Sequence, residues 1–157
     1  MRDDQRIAAI FLDERSVVRR SPHIEHERKV AIDDLLEDNR FAPADDLTGP
    51  FHLHLSLADN RLVFDVRSPV DAPLARFILP LGSFRKVIRD YFLVCDTYIR
   101  SAKTTSPSRI EAIDVGRRSL HDEGGEILAR RLAGKADIDM DTARRLFTLI
   151  CVLHLRG

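Results

Sequence analysis

Residues 51–67, FHLHLSLADNRLVFDVR, decide the fold class. Phe51, Leu53, Leu55 and Leu57 alternate with His52, His54 and Ser56, the period of a strand that buries one face. After Ala58-Asp59-Asn60, Leu62, Phe64 and Val66 alternate in the same way. Two such runs joined by Asp and Asn make a β-hairpin. A slip of one residue would invert every side chain, so the pattern fixes which face is apolar. The leucines, phenylalanines and Val66 are predicted to cover the core, with His52, His54 and Asp65 pointing the other way.

Working outward, RIAAIFL at 6–12 reads as a first strand. LARFILPL, from Leu74, reads as a further hairpin-connected strand ending at Pro80, with a loop bracketed by Pro69 and Pro73. Ser21-Pro22 places an N-cap and a first-turn proline at the start of a helix reaching about Asn39. Glu25 and Glu27 suit its positive end. The polar stretch PADDLTGP carries proline at both ends and reads as a loop. From Ser83 onward the pattern is helical. Phe84, Val87, Ile88, Tyr91, Cys95 and Tyr98 share one face as far as about Lys103, with Arg85, Arg89, Asp96 and Arg100 opposite. Ser106-Pro107 opens the next helix, which ends near Gly134. Asp139 or Asp141 caps a last helix, RRLFTLICVLHL, apolar nearly all round. Such a helix lies centrally in a core or in an oligomer interface. The expected class is α+β: a small antiparallel sheet, with strands near 6–12 and 74–80 beside the hairpin 51–67, and one early helix, packed beside three C-terminal helices.

Length and composition bound the rest. A chain of 157 residues is expected to be one domain, with a sheet-rich half, 1–81, and a helical half, 82–157. An apolar fraction of 44% and a charged fraction of 32% place it among soluble globular chains. The longest apolar run, Leu149–Leu153, is too short for a membrane span, and the charged start MRDDQR does not resemble a signal peptide. A cytoplasmic location is expected, with Cys95 and Cys151 as core thiols. Residues 1–81 hold 11 basic and 15 acidic residues, and residues 82–157 hold 14 and 10. That mild polarity argues against nonspecific nucleic-acid binding, which wants a clearly basic face. The 21 Arg against four Lys suit oxyanion contacts, but a GC-rich genome gives the same bias.

The chemistry-bearing residues gather in 114–131, DVGRRSLHDEGGEILARR. At 100° per residue, Ile110, Ile113, Leu120, Ile127 and Leu128 form an apolar arc with Arg117 and Gly124 inside it. A buried guanidinium needs a carboxylate, a phosphate or a partner protein. An internal ion pair is its ordinary fate. The alternative is an anion site built from Arg117, Arg118 and His121, with Asp114 and Glu123 beside them. Gly124-Gly125 is a point where the helix is open to interruption. His52 and His54, two apart on a strand, are weak metal candidates, and His23 and His26 form an HxxH that nothing brings to them. Metal sites usually need three or four ligands, and a polar outer face is the plainer reading. There is no GxSxG, P-loop, GxGxxG or CxxC.

GRRSLHDEGGEILARRL and DTARRLFTLICVLHL, together with the FHLHLSL hairpin, resemble uncharacterised bacterial protein family 0262 over the whole chain. The resemblance implies no activity, cofactor or catalytic residue. The residues favour a cytoplasmic, non-enzymatic interaction or regulatory protein that works through a homodimer or a protein partner. The rival is a binder of, or enzyme acting on, a small phosphorylated or carboxylated ligand through Arg117, Arg118 and His121. No cofactor and no membrane contact are expected.

Overall fold

A computed structural model describes residues 4–13, 22–101 and 106–154, with the side chains of 98–101 outside that description. The hairpin forms as its alternation requires. β3 (Phe51–Ala58) pairs antiparallel with β4 (Arg61–Arg67) across a two-residue turn in which Asp59 and Asn60 both have positive φ, 53° and 60°. These angles match the strand twist, and Asp and Asn tolerate them. Phe51, Leu53, Leu55, Leu62, Phe64 and Val66 are buried, Leu57 is partly so, and His52, His54 and Asp65 keep some exposure. β5 (Pro73–Pro80) adds antiparallel to β4.

The first strand corrects the sheet. β1 (Ile7–Leu12) lies parallel to β3, so the four-stranded sheet, ordered β1-β3-β4-β5, is mixed rather than wholly antiparallel. Parallel neighbours need a crossover of a dozen residues or more, and the stretch holding α1 (Pro22–Glu37) supplies it. A register shift between Ile7 and Ala9 turns Ile7 toward the core beside Phe51 and Ile10 toward it beside Leu53. That bulge explains why IAAIFL does not alternate.

Two short strands join the halves of the chain. β2 (Phe41–Pro43) pairs antiparallel with β6 (Ala136–Ile138); Pro43 opens the stretch that the sequence reads as loop, and the other positions fall where it places no element. Asn39 anchors the approach. Its Oδ1 accepts from Ile7 N at 2.7 Å, and its Nδ2 donates to Ile7 O at 2.9 Å and Leu35 O at 2.7 Å.

The helical half follows a short 3-10 turn, Leu81–Phe84, and comprises α2 (Arg85–Ser101), α3 (Pro107–Leu132) and α4 (Met140–His154). Ser106 caps α3, accepting from Arg109 N at 3.3 Å, and Asp139 caps α4, accepting from Thr142 N at 3.3 Å. Ser21, the expected cap of α1, and Leu155 lie outside the described residues, as do the side chains of Tyr98 and Arg100. α4 is the central helix. Leu146 through Leu153 are all buried, against α3 on one side and α1 on another. Gly124-Gly125 do not interrupt α3. A Cβ on Gly124 would stand 2.4 Å from the Phe147 ring, so this glycine lets α3 and α4 approach closely. The architecture is α+β, with one apolar cluster drawing on the sheet's inner face and on all the helices.

Candidate functional site

Arg117 points between α3 and α1. Its Nη1 donates to Glu27 Oε1 of α1, and its Nη2 donates to Asp114 Oδ1 at 2.9 Å. Glu27 is 12% exposed and Arg117 25% exposed, so the pair is largely shielded from water. Burial disfavours the guanidinium's charge, but the hydrogen bond to Asp114 and the charge of Glu27 outweigh it and hold its pKa up. Arg118 is exposed and donates to the other oxygen of Asp114, from Nη2 at 2.6 Å and Nε at 3.2 Å. Hydrogen bonds from Arg118 and Arg117 hold the Asp114 carboxyl below its usual range. Both arginines are therefore matched by carboxylates.

His121 turns away from them. Its ring lies 5.1 Å from Tyr91 and 6.5 Å from Phe147, and Nε2 is 3.5 Å from the Thr148 hydroxyl. Burial, and then the charge of Arg117, push its pKa down to about 4, so the ring is neutral at physiological pH. It lines a recess of about 230 Å³ between α1, α3 and α4, together with Glu27, Arg144 and Thr148. Arg144 is already held by Asp122 at 2.6 Å and Asp141 at 2.7 Å. The neighbouring Arg145 donates to Asp38 O at 2.9 Å. Glu123 is exposed and joins neither group. Of the five residues singled out in α3, Asp114, Arg117 and Arg118 form one network, while His121 and Glu123 stand apart.

The remaining candidates are placed as follows. Cys95 and Cys151 are free and buried, and burial pushes the Cys95 thiol up to about 11 and the Cys151 thiol well above its ordinary value. Neither is poised as a thiolate. His52 and His54 sit on the outer face of the sheet, where His54 Nε2 is 3.9 Å from Asp71. His23 lies 3.6 Å from Glu27 on α1. Among the described residues no three His, Cys, Asp or Glu side chains cluster as metal ligands would.

A mostly apolar opening lies elsewhere. Leu93, Val94 and Thr97 of α2 and Ala112, Ile113 and Gly116 of α3 line a groove of about 440 Å³. Arg109 of α3 also lines it, and Leu93 on its wall is 59% exposed. Nothing lies within 4 Å of where a Gly116 Cβ would stand, so the groove is open there.

Sequence reasoning missed Glu27, which is 90 residues from Arg117. It also missed the groove, because Leu93 falls among charged residues on α2's outward side. The periodicity of 110–116 does signal apolar surface on α3, but not whether anything covers it.

Among the described residues, no helix is long and apolar enough to cross a membrane. A profile of the family described as "Uncharacterised protein family (UPF0262)" matches residues 4–156. The UPF0262 protein of Paramagnetospirillum magneticum is 55% identical over 153 residues, covering 98% of each chain. That of Rhodospirillum rubrum is 55% identical over 157 residues, covering 100% of this chain and 97% of the relative. One from Rhodopseudomonas palustris is 53% identical over 154 residues, covering 98% and 94%. No solved structure matches the chain. The match over nearly the full length, at this level of identity, makes the chain a member of the bacterial UPF0262 family.

Proposed function

We propose that the protein is a cytoplasmic, non-enzymatic interaction protein that docks through the groove between α2 and α3, and that its first partner is a second copy of itself. The groove is the observation that carries this reading. Leu93, 59% exposed, stands proud on the wall of an open, mostly apolar furrow. A two-fold dimer needs one patch to carry both knob and hole, and this patch carries both. Exposed apolar surface of this kind marks interaction sites on soluble proteins. The cytoplasmic setting is supported by the free, buried thiols of Cys95 and Cys151.

The rival reading, capture of a phosphorylated or carboxylated ligand by Arg117, Arg118 and His121, has less support. An anion at Arg117 would have to displace Glu27 or Asp114, and a neutral, partly buried His121 offers no positive charge.

Light scattering across a concentration series tests the proposal. We expect the wild-type mass to rise from monomer toward dimer, and Leu93→Glu to stay monomeric with an unchanged circular dichroism spectrum. A wild-type mass that stays monomeric into the high micromolar range overturns self-association. A dimer that Leu93→Glu leaves intact moves it away from this groove.

A further inference from the structure

The outer face of the sheet holds a cross-strand row unlike the rest of the surface. Phe11 of β1 pairs with His54 of β3, His54 with Asp65 of β4, and Asp65 with Arg76 of β5. The row therefore runs from one edge strand to the other as aromatic ring, imidazole, carboxylate and guanidinium. Beside it opens a recess of about 350 Å³ whose lining includes Phe11, His54, Ser56, Val63, Asp65 and Arg76. That volume is within the range of small-molecule sites.

Three features distinguish this recess from an ordinary solvated sheet face. The first is its stacking wall. Phe11 is 46% exposed, yet its ring lies parallel to His54, with centroids 4.5 Å apart and planes at 22°. Stacked rings held at the surface offer a flat apolar platform to a further ring. The second is the floor, because Val63 points to the outer side of the sheet and is only 6% exposed.

The third feature is the distribution of charge. Arg67 donates to Asp65 Oδ2 from Nε and makes a second contact from Nη2, both at 2.9 Å, and it also reaches Asp71 at 3.2 Å. His54 stands 3.9 Å from Asp71 as well. Asp65, the carboxylate of the row, is thus matched by Arg67, which also reaches Asp71, while Asp13 is a further carboxylate on the recess wall. Arg76, directly across from Asp65, has no hydrogen bond or ion pair among the described residues. A guanidinium fork at one end of the recess and a ring platform at the other, with the Ser56 hydroxyl beside His54 on β3, complement a planar ring carrying one anionic group.

We infer that this recess binds a small aromatic anion. The ring lies against Phe11 and His54, and the carboxylate or phosphate is held by Arg76. This site is separate from the α2–α3 groove, and a monomeric protein would bind as well as a dimer.

The test uses the full chain with defined probes, read by NMR of the Phe11 and His54 ring signals and by calorimetry. Benzoate and adenosine monophosphate carry a ring with a carboxylate or a phosphate, which separates the two anion sources. Adenosine supplies a ring alone and inorganic phosphate an anion alone. We expect at least one ring-bearing anion to bind about tenfold more tightly than adenosine or phosphate and to shift both ring signals. Arg76→Gln should weaken that binding by about tenfold or more, and Phe11→Ala by several-fold to about tenfold. Arg61→Gln, at the hairpin end of β4, should leave it unchanged. Phe11→Leu and Arg76→Lys serve if the first variants fold poorly, and each should still weaken binding. Failure of both ring-bearing anions to move the Phe11 and His54 signals at about 10 mM, the regime of affinities too weak to be specific, overturns the inference. So does binding that survives substitution at both Arg76 and Phe11.

Discussion

The two ends of α3 share one apolar periodicity and meet different surroundings. From Gly124 to Leu132 the helix lies against α4, with Leu128 and Leu132 fully buried and Gly124 in contact with Phe147. From Arg109 to Gly116 it lies beside α2, and its apolar residues line an open groove. Arg117 stands at the boundary, close enough to α1 for Glu27 to reach it. Spacing tells which residues share a face. Cover depends on what the rest of the chain brings to that face.

The largest effect expected from this contrast is at the boundary. Arg117→Ala leaves Glu27 shielded and without its guanidinium. Breaking a buried pair by removing one partner costs about 3–5 kcal/mol, and a side chain one-quarter exposed belongs at or below the lower end, about 3 kcal/mol. The urea midpoint should fall by the same amount with and without millimolar phosphate. Wild type gaining stability from phosphate, with the mutant gaining none, would move Arg117 from structure to ligand binding.

His121 gives the next largest effect. Its folded pKa, about 4, lies below the unfolded value of 6.5. The unfolded chain therefore takes up the proton first as pH falls. The stability from the neutral ring is fully present above about pH 6.5 and is lost between about 6.5 and 4. The loss should be on the order of 2–3 kcal/mol at the acid end. Comparing urea midpoints at neutral and mildly acid pH for wild type and His121→Gln isolates it. An equally steep acid loss in the variant would assign the effect to other groups.

Two glycines on the same helix sharpen the comparison further. Gly124→Ala drives a methyl into the Phe147 ring, at a cost of about 1–3 kcal/mol, less about 1 kcal/mol regained in helix propensity. Gly116→Ala meets open space and should gain up to about 1 kcal/mol. Thermal midpoints that shift in the same direction for both would mean that the two ends of α3 do not differ in packing. The smallest stability change belongs to Leu93→Glu, within about 0.5 kcal/mol as for other exposed positions, although its effect on association should be complete.

Much of this was legible in the sequence, and the reasons differ from element to element. The hairpin was explicit because alternation across Phe51–Val66 leaves one register. The burial of α4 followed from its lack of a polar stripe. The parallel placement of β1 was hidden, since a strand of six residues carries no mark of its neighbour's direction and its bulge blurs the alternation. β2 and β6 were hidden because three-residue strands have too few positions to show a period. At the candidate site, the need for a partner at Arg117 was readable from its place in an apolar arc. The identity of Glu27 was not, because that contact forms only once α1 has crossed over the sheet and packed. The Phe11 to Arg76 row likewise appears only when β1 and β5 take their places at opposite edges.

The most direct test of the difference between the two ends of α3 is amide hydrogen exchange along that helix at low and high protein concentration. We expect exchange across 109–116 and the facing turns of α2 around Leu93 to slow as concentration rises, while 124–132 stays equally protected throughout. Exchange at 109–116 that is independent of concentration, or slowing that falls instead on 124–132, would contradict docking of a second copy in the α2–α3 groove.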